Sequence, residues 1–379
     1  MKTDFKIRII QPIVPEYRVA LFEGVGRRYP GRVELWAADG FNGQDVSLPI
    51  SSMKTDYTHS FVRFGPFQWQ RCLSLEGLRR GDVLVACGDV HNLAMMFLAL
   101  CAKMRGIKVV WWGHHWTASS KPFSVRIRLI VAKFLSDVYL CYTRTGIKYL
   151  ESRGFRSGRV FATGNTINQE PIKKAIEYWN GSRLVDFQER HGILGKNMVV
   201  LCSVLRTKTR LGQLIEALSD PKLNDVLLAV IGDGPIRDEC VELAKRKGVD
   251  NRIFWVGATR DQQVMAPWFM SSKAFVYPGP IGLSIIHSMS YGVPVVAHNV
   301  AEHQMPEFEI MEDGRTGLCF AENDVADLVV KIADILADEP RRRKMAEYSQ
   351  RAAFEKYSMN QMVENFCAAV EAAREGAVS

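Results

Sequence analysis

From Lys273 to Ala297 the chain reads as a buried strand (Lys273–Tyr277), a Pro/Gly turn, a helix (Leu283–Tyr291) and a second strand (Val293–Ala297). The helix therefore opens directly after Gly279-Pro280-Ile281-Gly282, with no bulky side chain at its mouth. The first turn of a helix carries unpaired N–H groups and partial positive charge, and glycines let an anion approach that backbone closely. After a strand of a parallel sheet, such a turn is where α/β proteins hold phosphates. The same residues would also serve as an ordinary tight βα turn. Downstream, the acidic stretch that holds Glu307 and Glu309 runs on to Asp313-Gly314 and Gly317.

The elements that must position these residues follow a βα alternation. In the first half, apolar strands are expected at Lys6–Ile10, Val33–Ala37, Asp82–Ala86, Lys108–Trp112, Asp137–Tyr142 and Val160–Ala162. A loop, residues 11–18, leads into a helix from about Val19, and a second helix spans His91–Arg105. Asn165-Thr166-Ile167-Asn168 reads as the exit from this half, and residues 169–196 as a polar, mixed segment. The second half repeats the pattern with strands at Met198–Ser203, Val226–Ile231 and Ile253–Val256. Its helices are read at Leu211–Leu218, Ile236–Lys247, Val325–Ala337, Pro340–Lys356 and Met359–Ala373. Strands separated by helices give parallel sheets, here two in succession. The reading is α/β: two Rossmann-like, doubly wound domains facing across a cleft, the expected ligand site. The boundaries are 1–168 and 169–356, with a C-terminal helix (about 357–379) packing back on the first domain.

Composition narrows the function. At 379 residues, two domains are the natural expectation. Eight cysteines are spread singly with no Cys-x-x-Cys, which argues for buried, reduced thiols and a cytoplasmic protein. The polar start shows no signal peptide, and the longest apolar run, Leu93–Ala102, is too short to span a bilayer. Residues 1–170 hold 24 Lys+Arg against 13 Asp+Glu, and the remainder 25 against 28. The first half therefore meets an anionic partner. No nucleic-acid-binding signature accompanies the charge, so nucleic acid is not expected. The stretch from Lys121 to Leu135 mixes Lys121, Arg126, Arg128 and Lys133 with many aliphatic residues. It could lie on an anionic membrane surface, or form a core helix with a solvated basic edge.

Taken together and in order, a series of short motifs resembles the family-four retaining glycosyltransferases of GT-B fold, the glycosyl transferases group 1. The series is Tyr17-Arg18, Trp112-Gly113-His114, Asn165-Thr166-Ile167, Leu214–Leu218, Gly232-Asp233-Gly234-Pro235 and Gly257. It continues with Gly282-Leu283, Met289, Gly292, Pro294-Val295-Val296, Glu309, Asp313-Gly314 and Gly317. The resemblance implies an enzyme of the hexosyl- or glycosyltransferase class that moves a sugar from a nucleotide diphosphate donor, bound by the second domain, to an acceptor bound by the first. It implies retention of anomeric configuration, no metal and no resident cofactor, the nucleotide sugar being a co-substrate.

Carried onto this chain, the resemblance gives Gly282, Leu283 and Ser284 the donor diphosphate, with Gly257 beside the donor. Arg206 and Lys208 neutralise the leaving group, with Arg210 a third candidate; the register there is ambiguous, the family's arginine falling nearer Val204 and its lysine nearer Thr209. His114 lines the reaction centre, Glu309 lies near the donor, and Tyr17 and Arg18 belong to the acceptor side. The family's two glutamates, eight positions apart, correspond here to Gly279 and His287. His287 would then hydrogen-bond the ribose, and the role of gripping the sugar, which Gly279 has no side chain to fill, would pass to backbone N–H groups or to Glu307. The charge of the first half suits a polyprenyl-diphosphate-linked saccharide acceptor, hence bacterial surface polysaccharide assembly by a peripheral protein at the inner face of the membrane. Two alternatives share the architecture: a sugar-nucleotide epimerase or phosphorylase, and a non-catalytic nucleotide- or glycan-binding protein.

Overall fold

The computed structural model describes residues 5–41, 44–114 and 122–376. The chain divides into two units, Met1–Asn165 with Met359–Ser379, and Thr166–Ser358.

The first unit runs β1 (Ile7–Ile10), α1 (Glu16–Arg28), β2 (Val33–Ala38), a short β3–β4 pair (Gly40–Phe41, Gln44–Val46), β5 (Lys54–His59), a β6–β7 hairpin (Phe61–Phe64, Phe67–Gln70) and β8 (Val83–Cys87). It continues with α2 (Leu93–Met104), β9 (Lys108–Trp112), α3 (Pro122–Leu135), β10 (Val138–Cys141), α4 (Arg144–Ser152) and β11 (Val160–Ala162). Its main sheet is parallel, in the order β11-β10-β9-β8-β1-β2-β5. The central strands are buried along their length because helices cover both faces, and the one charge in them, Arg8 of β1, is paired with Glu34 at 2.7 Å.

Successive side chains of a strand point to opposite faces, so each strand feeds two cores. Ile7, Ile9, Val85, Val110, Trp112 and Leu140 pack on one side, and Leu84, Ala86, Val109, Trp111 and Tyr139 on the other. Residues 16–18 fold as the first turn of α1, which starts after Pro15, so Tyr17 and Arg18 are helical where a loop was expected.

The second unit runs α5 (Glu170–Tyr178), α6 (Ser182–Arg190), β12 (Asn197–Cys202), α7 (Leu211–Leu218), β13 (Val226–Ile231), α8 (Arg237–Lys247), β14 (Ile253–Gly257) and α9 (Gln262–Met270). Then come β15 (Ala274–Tyr277), α10 (Ser284–Ser290), β16 (Val295–His298), β17 (Gly317–Phe320), α11 (Val325–Ala337) and α12 (Glu339–Glu355). Its sheet is parallel in the order β14-β13-β12-β15-β16-β17. The segment 169–196 is two helices; Ile172, Ala175 and Phe187 enter the core.

The last helix, α13 (Met359–Glu375), belongs to the first unit. Its Met362, Phe366, Ala369, Val370 and Ala373 recur at helical spacing and are fully or almost fully buried. Phe366 packs edge-on against Trp112, ring centroids 5.4 Å apart, and the Tyr29 hydroxyl donates to Glu371 at 2.8 Å.

Candidate donor site of the second unit

Numbered from its own first strand, the second sheet has the order 3-2-1-4-5-6. The connections reverse direction between β12 and β15, and a crevice must open beyond the C-terminal ends of that pair. At its floor the Ser203 hydroxyl and the Tyr277 hydroxyl meet at 3.0 Å. Residues 203–210 follow β12, and residues 278–283 follow β15.

The two segments touch backbone to backbone. A Cβ at Gly279 would lie 2.0 Å from the Lys208 carbonyl oxygen, so no side chain can leave the chain there. Gly232, at φ 142°, gives the β13 exit the same freedom; a Cβ on it would strike the Ser203 carbonyl at 1.8 Å. The carboxylate that the family resemblance would place at 279 is thus replaced by the backbone of the basic loop itself.

That loop is held by Thr209. Its buried hydroxyl donates to the Val204 carbonyl at 3.1 Å and accepts the Arg206 N–H at 3.2 Å. Arg206 and Lys208 are exposed, and among the described residues no carboxylate pairs with either. Arg210 behaves differently. It adopts a left-handed backbone (φ 54°), costly for a residue with a Cβ, and its guanidinium is bound to Glu322 at 2.7 Å. Glu322 also accepts from His303 at 2.6 Å. Burial pushes the Glu322 carboxyl up, but the hydrogen bonds from His303 and Arg210 outweigh it and hold it below its ordinary range. His298 ends β16 fully buried, 4.0 Å from the same carboxylate, and desolvation pushes its pKa to about 4.

No side chain caps α10; the Ile285 and Ile286 N–H groups turn back to the Gly282 and Leu283 carbonyls at 3.1 and 3.0 Å, so the N–H groups of Gly282, Leu283 and Ser284 are the ones left to an outside acceptor. The approach is fixed by Gln304. Its Oε1 accepts the Ile281 N–H at 2.7 Å, and its Nε2 donates to the His298 carbonyl at 2.8 Å, tying the loop after β15 to the end of β16. Glu307 is buried, with its Oε2 3.8 Å from where a Cβ on Gly282 would stand; Glu309 is half-buried. Leu283 and Ser284 are half-buried at the helix start.

Gly257 closes β14, and its carbonyl accepts the Gly232 N–H at 2.8 Å. On α10, His287 stands 3.3 Å from the Gln262 amide nitrogen, while the Gln262 oxygen accepts the Tyr291 hydroxyl at 2.9 Å. That network assigns the His287 Nε2 as acceptor and puts its proton on Nδ1. Burial lowers its pKa to about 4, so the ring is neutral near pH 7. It can offer a ribose a donor, the reverse of what a carboxylate offers.

In the first unit the order 3-2-1-4-5-6-7 puts the reversal between β1 and β8. The β6–β7 hairpin is pinned there. Gln70 donates to the Gln11 carbonyl at 3.4 Å and accepts from Asn92 at 3.0 Å, and Gln68 donates to Asp89 at 3.0 Å. The hairpin thus turns its glutamines inward and leaves Phe64, Phe67 and Trp69 exposed, with His91 beside Phe67. A cavity of about 370 Å3 lies between Arg63, Phe67, Gln68, Asp89 and His91.

Arg18 is buried, its guanidinium 4.3 Å from the Trp112 ring and 5.1 Å from Tyr142, while Tyr17 is exposed. His114 follows β9, exposed, its ring 4.4 Å from that of Tyr142. On α3, Arg126 and Lys133 are exposed and Arg128 is half-buried; Lys121 lies outside the described residues.

Residues 186–352 match the family described as glycosyl transferases group 1. The match is confined to the second unit. Among curated relatives it is 32% identical over 137 residues to the lipopolysaccharide core biosynthesis glycosyltransferase LpsE of Rhizobium meliloti, covering 35% of this chain and 38% of that one. It is 26% identical over 188 residues to alpha-D-kanosaminyltransferase of Streptomyces kanamyceticus, covering 47% and 46%. The matches thus span less than half the length of either relative. Among solved structures, Anabaena HepE in complex with UDP superposes with a TM-score of 0.68 at 15% identity, covering 96% of this chain and 98% of that one. The fold is GT-B. The group 1 match encloses every donor-side residue named above.

Gln304, Gln262 and Glu322 were not singled out from the sequence; each is an isolated polar residue whose partner is distant in the chain. The hairpin had a usable turn signal, Gly65-Pro66 between two short aromatic-rich runs, Phe61–Phe64 and Phe67–Gln70.

Proposed function

We propose that this protein is a retaining, metal-independent glycosyltransferase. The second unit holds a nucleotide diphosphate sugar at the β12–β15 switch point, and the first unit holds a saccharide acceptor. The observation that carries the donor half is one arrangement: an uncapped helix start beside Arg206 and Lys208, two cations without a carboxylate partner among the described residues. Fixed N–H dipoles and cations aimed at a diphosphate stabilise the charge that develops as it leaves. The acceptor hydroxyl attacks the anomeric carbon on the face from which the diphosphate departs. The C–O bond to the diphosphate breaks, and a phosphate oxygen takes the hydroxyl proton. Positioning and electrostatics supply the rate enhancement.

Gly282, Leu283 and Ser284 bind the diphosphate through backbone N–H groups, His287 binds the ribose through Nδ1–H, and Glu307 grips the sugar where Gly279 has no side chain to do so. Glu309 and Gly257 border the donor. Arg210, tied to Glu322, shapes the loop and acts on the diphosphate through its position. The resemblance also assigns His114 to the reaction centre. The acceptor side rests on Tyr17, on Arg18 and on the crevice bordered by the β6–β7 hairpin.

The acceptor is a lipid-linked, anionic saccharide, and the setting bacterial surface polysaccharide assembly at the inner face of the membrane. Support comes from charge and from exposed apolar residues: the first unit carries 25 Lys+Arg against 15 Asp+Glu, the second 24 against 26. No helix among the described residues is long and apolar enough to cross a membrane. On α3, Ile127, Ile130 and Phe134 are exposed at helical spacing beside Arg126 and Lys133, a pattern suited to peripheral attachment. On α2, Phe97, Leu100 and Met104 repeat it. The test is transfer of labelled sugar from UDP-, GDP-, ADP- and dTDP-sugars to a membrane extract, with chelator present. Transfer that tracks one donor supports the reading. Nucleotide binding with neither transfer nor hydrolysis would favour the non-catalytic alternative, for which the absence of a side chain at Gly279 is the specific argument.

A further inference from the structure

At the opposite end of the first sheet from its ligand crevice, a cavity of about 350 Å3 opens beside the N-terminal ends of β9, β10 and β11. Lys108, Lys133, Arg156 and Arg159 line it against one carboxylate, Asp137. Asp137 pairs with Lys108 at 3.7 Å and accepts the Val109 N–H at 2.8 Å. Lys108 also donates to the Gly376 carbonyl at 3.3 Å, and Arg159 donates to the Ala372 carbonyl. These two cations therefore cap the last turn of α13, as cations at a helix C-terminus do. Lys133 and Arg156 have no carboxylate partner among the described residues, and nothing in the capping arrangement needs them. Cations gathered around one cavity repel each other, and an anion between them relieves that repulsion.

We propose that this cavity is a binding site for a phosphate group, held by Arg156 and Lys133, and that the phosphate is that of a lipid headgroup. The lipid source follows from the rim. Lys133 lines the cavity and its neighbour Phe134 is 67% exposed; one turn back, Ile130 is 61% exposed. A headgroup in the cavity would place its acyl chains along that apolar stripe of α3. The proposal rests on the reading that this face lies on a membrane, and extends it from general charge attraction to recognition of a particular group.

The experiment compares wild type, Arg156→Gln and the double variant Ile130→Ser/Phe134→Ser. Each is floated with vesicles carrying phosphatidic acid or phosphatidylglycerol matched in zeta potential, and titrated with inorganic phosphate in solution. Arg156 is exposed in a loop, so its variant should melt with wild type. The expected result is a wild-type preference for phosphatidic acid of roughly five- to tenfold that Arg156→Gln erases, the size expected from one cation on a phosphate. Equal binding of the two lipids by wild type, or a preference that survives Arg156→Gln, overturns the site while leaving membrane attachment intact. Vesicle binding unchanged in Ile130→Ser/Phe134→Ser overturns the membrane reading. If inorganic phosphate then binds wild type but not Arg156→Gln, the site is one for soluble phosphate and the lipid assignment fails.

Discussion

Gly279 shows most sharply what a single residue does here. The Lys208 carbonyl occupies the space its side chain would need, so even Gly279→Ala must push the basic loop away. We expect that variant to lose nucleotide binding and to melt lower, and Gly279→Glu to lose binding too; a Gly279→Glu variant that binds and transfers better than wild type would contradict this geometry. His298 gives a pH prediction. Its folded pKa, about 4, lies below the ordinary histidine value, so the unfolded chain binds the extra proton first. Stability is full above about pH 6.5 and falls as the pH drops toward 4, by at most roughly 3 kcal/mol from this group. Glu322, held below its ordinary range, loses its contribution at still lower pH, in the same direction. Melting temperature followed from pH 7 to 4 should fall less steeply in His298→Asn than in wild type.

Elements rather than residues decide how the donor loop works. Arg206→Ala/Lys208→Ala removes both exposed cations without touching Thr209, which holds the loop, so folding should persist while turnover falls by about two to four orders of magnitude. Steady-state kinetics with any accepted donor measures it. In the first unit, Phe366→Ala empties a fully buried site between α13 and Trp112 and should cost about 3–5 kcal/mol of stability, read by denaturant unfolding. How legible these elements were depends on where their information lies. Buried parallel strands announce themselves as apolar runs, and Leu211–Leu218 and Val325–Ala337 were readable to the residue from apolar periodicity. Residues 169–196 were not, because α5 and α6 each place few apolar residues in the core and expose the rest. The β6–β7 hairpin inverts the usual rule, glutamines in and aromatics out, and so hides from hydropathy. At the donor site the glycines and basic residues were visible as types. That Gly279 has no room, that Arg210 is bound by Glu322 and that Gln304 ties the loop after β15 to the end of β16 are three-dimensional facts between residues up to 112 apart.

For the whole molecule, charge is divided between the units, the first basic and the second near neutral, which is the division the proposed function asks for: an anionic acceptor and surface on the first, the donor on the second. Sedimentation with anionic vesicles at low salt and release at high salt should follow, since these attractions are screened within about 10 Å at 0.1 M; indifference to lipid charge would remove the membrane from the account. The donor half of the proposed function requires that the β12–β15 switch point bind a nucleoside diphosphate. Titration calorimetry of UDP, GDP, ADP and dTDP into wild type and Arg206→Ala/Lys208→Ala, in chelator, tests it most directly. One nucleotide is expected to bind wild type without metal and to bind the double variant at least tenfold more weakly. Binding by none of them, or equal binding by both proteins, would contradict it.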